Sequence, residues 1–257
     1  MFKPRSIELL ESPWNREGDV FAAVTLRSLS NGEANASYAG ANFACHVGDS
    51  VEAVAENREA LQAFLGGGLT WHWLDQVHGT QVYDVDASTQ EPIADAATTA
   101  SHSQVCAVLT ADCLPVFFYS PNEGRVAVAH AGWRGLSQGV LEATLASFKS
   151  RSSDVRVWFG PAIGRCHFEV GEEVELAFLN AAKTDELKTK TSAAFEYNSK
   201  PGKAQADLYA LARARLQALG VIDIEGGDLC TFCEPQRFYS YRRDPVCGRM
   251  LSLIYIK

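Results

Sequence analysis

The amino-acid sequence predicts a mixed α/β protein of the α+β class that folds as one domain. Short apolar runs of strand length are interspersed with longer segments of helical periodicity. The 257 residues contain no internal repeat and no shift of composition that would mark a boundary. A chain of this length buries a large core and lies near the upper limit of a single domain. We therefore expect residues 1–257 to form one domain, with two small domains as the alternative.

The first third of the chain predicts a strand, a helix and a pair of strands. VFAAVTL (20–26) has the β-branched content and alternation of a strand. Asp49 and Ser50 are candidate caps for the helical pattern that follows them, which ends at three consecutive glycines. WHWLDQV (71–77) and QVYDVD (81–86) flank the short sequence HGT. This pattern predicts two paired strands joined by a tight turn.

The middle of the chain is the most apolar part. VCAVLT (105–110), LPVFFYS (114–120) and RVAVAHA (125–131) are nearly continuous apolar runs, with PNEG as a turn before the third. Such runs predict strands that are covered on both faces. Residues 135–149 have the spacing of one helix, and VRVWFG (155–160) predicts a further strand.

The last third of the chain predicts two helices and a final strand. GEEVELAFLNAA (171–182) and AQADLYALARARLQALG (204–220) have helical patterns, the second ending at a glycine suited to the position after a helix. Residues 183–201 are charged and rich in turn formers, which predicts a surface loop or hairpin. MLSLIYIK (250–257) predicts the final strand.

Composition and charge exclude several classes of function. The chain has 23 basic and 31 acidic residues, a formal net charge of −8, which argues against nonspecific binding to nucleic acids or to an anionic membrane. Its beginning lacks the apolar core of a signal peptide, and no apolar run is long enough to span a bilayer. Seven scattered cysteines suggest reduced thiols. We expect a cytoplasmic protein with a small-molecule substrate.

Three metal-type side chains interrupt or end apolar runs: His78 in DQVHGT, Cys113 in TADCLP and His130 in VAHAGWRG. In a layered α/β protein, the ends of neighbouring strands converge on one rim, where sites are commonly built. Two imidazoles and one thiolate suit zinc and leave a fourth position open for water or substrate. Their spacing matches no compact metal motif, so hydrogen-bonded strand-end histidines and a core thiol explain the pattern as well.

Other roles are open for Cys113 and its neighbour Asp112. Cys113 could act as a nucleophile, with His78 or His130 as its base. Asp112 could orient a histidine or accept a proton from the substrate, or it could be a turn residue that holds the backbone between two strands. The residues alone do not separate these interpretations.

Arginines near the same rim are candidates for binding an anion. Arg134 of HAGWRG has the geometry for bidentate capture of phosphate or carboxylate. Arg242 and Arg243 follow a predicted aromatic strand, and adjacent strand residues point to opposite faces, so at most one of them should reach a given site. The alternative for this pair is a surface ion pair with Asp244.

Further polar residues carry weaker signals. His46 in ACHVGD could line the same cleft or be an exposed loop residue. CTFC (230–233) resembles a redox or zinc pair, but no second CxxC accompanies it, which favours structural cysteines. His167 has no supporting constellation, and Trp133 is expected in the core rather than stacked on a substrate.

The motifs NFACHVGD, ENRE, DQVHGT, TADCLPV, HAGWRG, GPAIGRCHFEVG and FYSYRRD occur in this order. Together they resemble the bacterial YfiH family, also called the laccase-domain or polyphenol oxidase family. The resemblance runs from about Val20 to the end of the chain. It implies a single α/β/β/α sandwich in which His78, Cys113 and His130 bind zinc.

The resemblance also implies an activity. Family members are described as enzymes that cleave adenosine, inosine and methylthioadenosine with phosphate and that deaminate adenosine. With these metal ligands, His78, Cys113, His130 and the neighbouring Asp112 are the expected catalytic group. An arginine such as Arg134 or Arg242 would hold phosphate, and His46 is a further candidate for binding the substrate.

Two further labels of the family predict other chemistry. One is a peptidoglycan-editing hydrolase that removes serine from a UDP-muramoyl precursor. The other is a copper-dependent polyphenol oxidase. Copper is therefore the alternative metal, but the chain has six histidines and two methionines. These are too few for a four-copper laccase assembly, which favours hydrolytic or group-transfer chemistry.

Overall fold

The computed structural model describes residues 7–16, 18–27, 37–88 and 92–257. The helices within these ranges are α1 Val51–Phe64, α2 Trp133–Gln138, α3 Val140–Leu145, α4 Glu172–Ala181, α5 Asp185–Ala193 and α6 Leu208–Ala218. The strands are β1 Leu9–Glu11, β2 Val20–Thr25, β3 Thr70–His72, β4 Val82–Asp84, β5 Ala96–Thr99, β6 Gln104–Thr110, β7 Leu114–Ser120, β8 Arg125–Ala131, β9 Arg156–Phe159, β10 Glu169–Gly171, β11 Phe195–Tyr197, β12 Lys203–Ala206, β13 Asp223–Gly226 and β14 Met250–Ile256. No helix in the described part of the chain has the length and apolarity to cross a bilayer.

One sheet has the strand order β13-β9-β7-β8-β5-β4 and is covered on both faces. Because side chains alternate along a strand, Val116 and Phe118 of β7 pack on one side with helix residues such as Leu141 and Leu211. Phe117, between them, packs on the other side with residues of a second sheet. Burial on both faces explains the continuous apolar runs of the sequence.

The second sheet has the order β1-β2-β14-β6-β3. Cys106 and Val108 of β6 face the first sheet, whereas Val105 and Ala107 of the same strand pack with Leu61 of α1. The layers are therefore α1, this sheet, the first sheet, and the helices α3 and α6. The expected α/β/β/α sandwich is confirmed. A separate antiparallel group, β10-β12-β11, lies beside α4 and α5.

The chain crosses between the two large sheets in two places that matter for the site. One crossing joins β3 to β4 through residues 73–81, and the other joins β6 to β7 through residues 111–113. Each contains a non-glycine residue with positive φ, His78 at 58° and Asp112 at 89°. Strained backbone of this kind is concentrated at functional sites.

Several sequence predictions were wrong in their details. Residues 71–77 and 81–86 do not form a hairpin, because β3 pairs with β6 and β4 pairs with β5. The predicted helix 135–149 is two short helices, since Gly139 has a φ of 107° and ends the first. The surface loop or hairpin predicted for 183–201 is correct only in part, because α5 occupies its first half while β11 forms a hairpin with β12. Few residues of α5 are buried, so its pattern looked uniformly polar.

The aromatic strand expected before Arg242 is also absent from the described structure, where residues 234–249 form turns and irregular segments. Arg243 stabilises this segment, which has no strand partner. Its guanidinium donates to the carbonyl oxygens of Thr231, Phe232 and Phe238, at 2.8 to 3.0 Å. It also pairs with Asp244, as the alternative interpretation of the sequence proposed.

Candidate metal centre and active site

The two crossings and the end of β8 bring His78, Cys113 and His130 together. One ligand atom from each of the three lies within 4.8 Å of the other two. The Cys113 Sγ is 3.9 Å from His78 Nε2, and the two imidazole rings meet edge to face with centroids 4.7 Å apart. Residues that are far apart in the sequence thus form one compact set of donors.

Asp95, just before β5, organises this set. Its Oδ1 accepts a hydrogen bond from Nδ1 of the buried His130 at 2.8 Å, which leaves Nε2 free for another partner. The same carboxylate accepts the backbone N–H groups of Val77, His78 and Gly79 at 2.6 to 3.3 Å. Asp95 therefore fixes both the ring of one donor and the backbone of another.

The sequence interpretation missed Asp95. A signal was present, because a single acidic residue stands in the apolar stretch IADAAT. A carboxylate at such a position is buried and must have hydrogen-bond partners, which points to a structural or catalytic role.

Electrostatics couple Cys113 to the histidines. Burial would raise the pKa of the Cys113 thiol, but His130 and His78 lower it to about 6. Burial would lower the pKa of His130, but the Cys113 thiolate and Asp95 raise it to about 9. The site therefore favours a thiolate, the form in which cysteine binds a metal.

Two glycines of HAGWRG let the donors approach each other. A Cβ on Gly132 would lie 2.9 Å from His78 Cδ2 and 3.0 Å from Cys113 Sγ. A Cβ on Gly135 would lie 2.6 Å from the carbonyl oxygen of Gly79. Both positions require glycine because the β3–β4 crossing packs directly against the start of α2.

The cluster opens on a cavity of about 350 Å³. His46 lines this cavity and is also exposed, so the structure is compatible with both alternatives that the sequence left open for it. Tyr241 and Arg249, which the sequence interpretation did not select, line the same cavity. Burial lowers the pKa of His46, and the charges of Arg249 and Arg58 lower it further, against an opposing effect of Asp75. The His46 imidazole is therefore neutral at pH 7.

Asp112 lies beside the cluster, but its carboxylate is engaged elsewhere. One oxygen accepts the Thr231 hydroxyl at 2.6 Å, and the other accepts the backbone N–H of Arg242 at 2.7 Å. Asp112 thus holds the 231–242 segment against the crossing that carries Cys113.

Neither of the two candidate anion-binding arginines, Arg134 and Arg242, is among the residues that line this cavity. Arg242 donates its guanidinium to the carbonyl oxygens of His167 and Glu169. Arg134 lies over the ring of Trp133, with Cζ 4.5 Å from the centroid, and lines a different cavity of about 770 Å³. Arg249 is the arginine that the structure places at the cluster.

A second group of metal-type side chains is assembled from Cys166, His167, Cys230 and Cys233. The sequence had favoured structural cysteines for CTFC (230–233) and showed no supporting constellation for His167. That interpretation was incomplete because the two halves of the group are more than sixty residues apart in the chain.

The donors of the first cluster fit a bound metal. Two imidazole nitrogens and a thiolate form the borderline-soft set that zinc prefers, and three protein ligands would leave a fourth position for water or substrate. The carboxylate on His130 is the partner commonly found behind a metal-binding histidine.

An α/β/β/α sandwich with an open His–Cys–His cluster at its crossings defines a class of proteins with a candidate metal-dependent active site. Within this class, the chain belongs to the laccase-domain (YfiH) family. The family model, described as multi-copper polyphenol oxidoreductase laccase, matches residues 22–257.

Several similar proteins carry names that concern function. The chain is 44% identical over 248 residues to a Pseudomonas aeruginosa protein named purine nucleoside phosphorylase, with 96% of this chain and 98% of the relative covered. It is 46% identical over 225 residues to Escherichia coli purine nucleoside phosphorylase YfiH, with 85% of this chain and 87% of the relative covered.

Solved structures support the fold. A Neisseria meningitidis protein aligns with a TM-score of 0.86 at 41% identity, covering 97% of this chain and 99% of that one. YlmD from Geobacillus stearothermophilus aligns with a TM-score of 0.81 at 31% identity, covering 93% of each chain.

Proposed function

We propose that the protein is a zinc-dependent purine nucleoside phosphorylase that acts on adenosine, inosine and methylthioadenosine and also deaminates adenosine. The observation that carries the proposal is the three-donor cluster, which opens on a cavity lined by Arg249, Tyr241 and His46. The names of the similar proteins support the same reaction. The acidic chain and the water-soluble substrates agree with the cytoplasmic location expected from the sequence. The proposal also keeps the expectation that residues 1–257 form one catalytic domain.

In phosphorolysis the bond between ribose C1′ and the purine nitrogen breaks. A phosphate oxygen forms the new bond to C1′, and the leaving purine nitrogen takes a proton, which gives ribose 1-phosphate and the free base. In deamination, water adds at purine C6 and the amino group leaves as ammonia. A zinc ion held by His78, Cys113 and His130 would supply Lewis acidity, polarising the groups bound to it and lowering the pKa of water.

The cavity residues suit a nucleoside and a phosphate. Arg249 donates Nη1 to the carbonyl oxygens of Cys247 and Gly248, which fixes its guanidinium at the cavity wall for binding phosphate. Tyr241 is 56% exposed, and its ring offers a surface on which a purine can stack. The neutral His46 imidazole can exchange a hydrogen bond with the base or the ribose.

The first experiment uses the zinc-loaded protein with inosine, with and without phosphate. We expect hypoxanthine and ribose 1-phosphate to form at a rate that depends on phosphate. Base release without phosphate, or no product at all, would contradict the proposal. A parallel incubation with a UDP-muramoyl-serine substrate tests the editing reaction, in which release of serine would replace phosphorolysis as the function.

The second experiment tests the phosphate site. Arg249→Met should raise the KM for phosphate about 10- to 100-fold, because charge-assisted hydrogen bonds contribute about 1.5–3 kcal/mol. Arg151→Met is the control, since Arg151 is exposed and pairs with Asp154 outside the cavity. If Arg134→Met raises this KM and Arg249→Met does not, the arginine chosen from the sequence is the phosphate ligand and our assignment is wrong.

A further inference from the structure

The side chains of Cys166, His167, Cys230 and Cys233 form a cluster outside the candidate active site. We call it the four-donor cluster. The Cys166 Sγ lies 3.7 Å from Cys230 Sγ and 3.6 Å from Cys233 Sγ. The His167 Nδ1 lies 3.2 Å from Cys166 Sγ and 3.3 Å from Cys233 Sγ. One ligand atom from each residue lies within 4.8 Å of all the others.

These distances match the edges of a metal-centred tetrahedron. Zinc–sulfur bonds of about 2.3 Å at tetrahedral angles place two sulfurs about 3.8 Å apart. A disulfide needs about 2.05 Å between the sulfurs, and all seven cysteines are free in the structure. The arrangement therefore has the spacing of ligands around one ion rather than of a bonded pair.

The surrounding residues support the donors as they would around a metal. The backbone N–H of Gly164 donates to Cys230 Sγ at 3.2 Å. Hydrogen bonds of this kind stabilise metal-bound thiolates. A Cβ at Gly164 would lie 3.1 Å from Cys230 Cβ and 3.2 Å from its Sγ, so glycine gives the thiolate its room.

His167 is also held in place. Its ring stacks on Phe232, with centroids 3.9 Å apart and planes 14° from parallel. Its carbonyl oxygen accepts Arg242 Nη1 at 3.0 Å. Ring and backbone are thus both fixed with Nδ1 towards the sulfurs.

We propose that Cys166, His167, Cys230 and Cys233 bind one zinc-type divalent ion as a structural site. Four protein ligands close the coordination sphere, which is the arrangement of structural rather than catalytic zinc. The site joins the segment after β9 to the segment after β13. It is separate from the proposed phosphorylase reaction and does not depend on it.

The four-donor cluster is connected to the active site through Thr231. Thr231 follows one proposed ligand directly, and its hydroxyl donates to Asp112, the residue before Cys113. Its backbone N–H also donates to the carbonyl oxygen of Ala162 at 2.9 Å. An ion at the cluster would therefore fix the segment that holds Asp112.

Metal content of the reduced, full-length protein tests the proposal. Wild-type protein should contain about two zinc ions per chain, and both Cys113→Ala and the double variant Cys230→Ser/Cys233→Ser about one. Cys45→Ser is the matched control, because Cys45 is an exposed cysteine outside both clusters, and it should keep two. A double variant with the same zinc content as wild type would overturn the proposal.

Cobalt and alkylation provide readouts that do not depend on activity. Cobalt(II) in the Cys113→Ala protein should give thiolate-to-metal charge-transfer absorption, which the added Cys233→Ser change weakens. In wild-type protein, zinc should protect Cys166, Cys230 and Cys233 from alkylation until a chelator is added, whereas Cys45 reacts throughout. Equal labelling before and after chelation, or a native disulfide within the cluster, would contradict the proposal. This labelling experiment uses wild-type protein, so it does not depend on the folding of any variant.

Discussion

The two His–Cys clusters of this protein differ in burial and in the number of donors. The cluster of His78, Cys113 and His130 has three donors, one of them only 3% exposed, and faces a cavity. The four-donor cluster has one donor more, and two of its cysteines, Cys166 and Cys233, are exposed. An open coordination position suits chemistry on a substrate, whereas a closed set suits the fixing of two chain segments.

The groups that hold the donors in position also differ between the two clusters. A buried carboxylate, Asp95, orients His130 in the first cluster. In the four-donor cluster, the backbone N–H of Gly164 donates to Cys230 Sγ, and the ring of Phe232 stacks on His167. A carboxylate raises the basicity of a histidine ligand and so tunes a reactive metal, while an amide and an aromatic ring chiefly fix geometry.

The sharpest test of this comparison is to remove one cysteine from each cluster. Cys113→Ala should remove the active-site metal and lower phosphorolysis by at least ~100-fold, more than the loss of a supporting residue costs. Cys233→Ser should lower the metal content equally but leave most of the activity. Product formation and bound zinc are measured on the same samples. If Cys233→Ser abolishes activity with the active-site metal still bound, the division into reactive and structural clusters fails.

Asp95→Asn should have the next largest effect. The amide removes the charge that orients His130 and places N–H groups where the backbone of residues 77–79 needs an acceptor. We expect zinc affinity at the first cluster to fall about 10- to 100-fold, measured by competition with a chelator. Affinity at the four-donor cluster should not change. An unaltered affinity at the first cluster would show that Asp95 serves the fold alone.

Gly135→Ala should have the smallest effect of the three on metal binding, because its Cβ would meet backbone atoms rather than a donor side chain. Its Cβ would meet the carbonyl oxygen of Gly79 at 2.6 Å, and such overpacking costs about 1–3 kcal/mol of the free energy of unfolding. Gly18→Ala is the control, because the nearest atom to its Cβ would be 3.9 Å away. Denaturant unfolding measures both. If Gly135→Ala and Gly18→Ala have the same free energy of unfolding, the β3–β4 crossing can shift to accommodate the added methyl group without a loss of stability.

The central strands could be predicted from the sequence because burial on both faces leaves a continuous apolar run, as in β6, β7 and β8. The sequence also indicated that His78, Cys113 and His130 could converge, since each interrupts or ends an apolar run. The resemblance to the family then specified the set.

Other features could not be predicted because they depend on long-range contacts. Nothing local shows that Cys166 and Cys230 meet, or that the strands on either side of HGT enter different sheets. The proposal that Arg249 rather than Arg134 binds phosphate likewise depends on which cavity each arginine lines. Spacing along the chain does not carry that information.

The hydrogen bonds of Asp95 have a consequence for the motions of the molecule. Val77, His78 and Gly79 lie in a connection outside the regular strands, where amide protons normally exchange quickly with solvent. Here one carboxylate accepts all three N–H groups. These amides should exchange as slowly as those of a sheet, so this connection opens only when the edge of the sandwich opens with it.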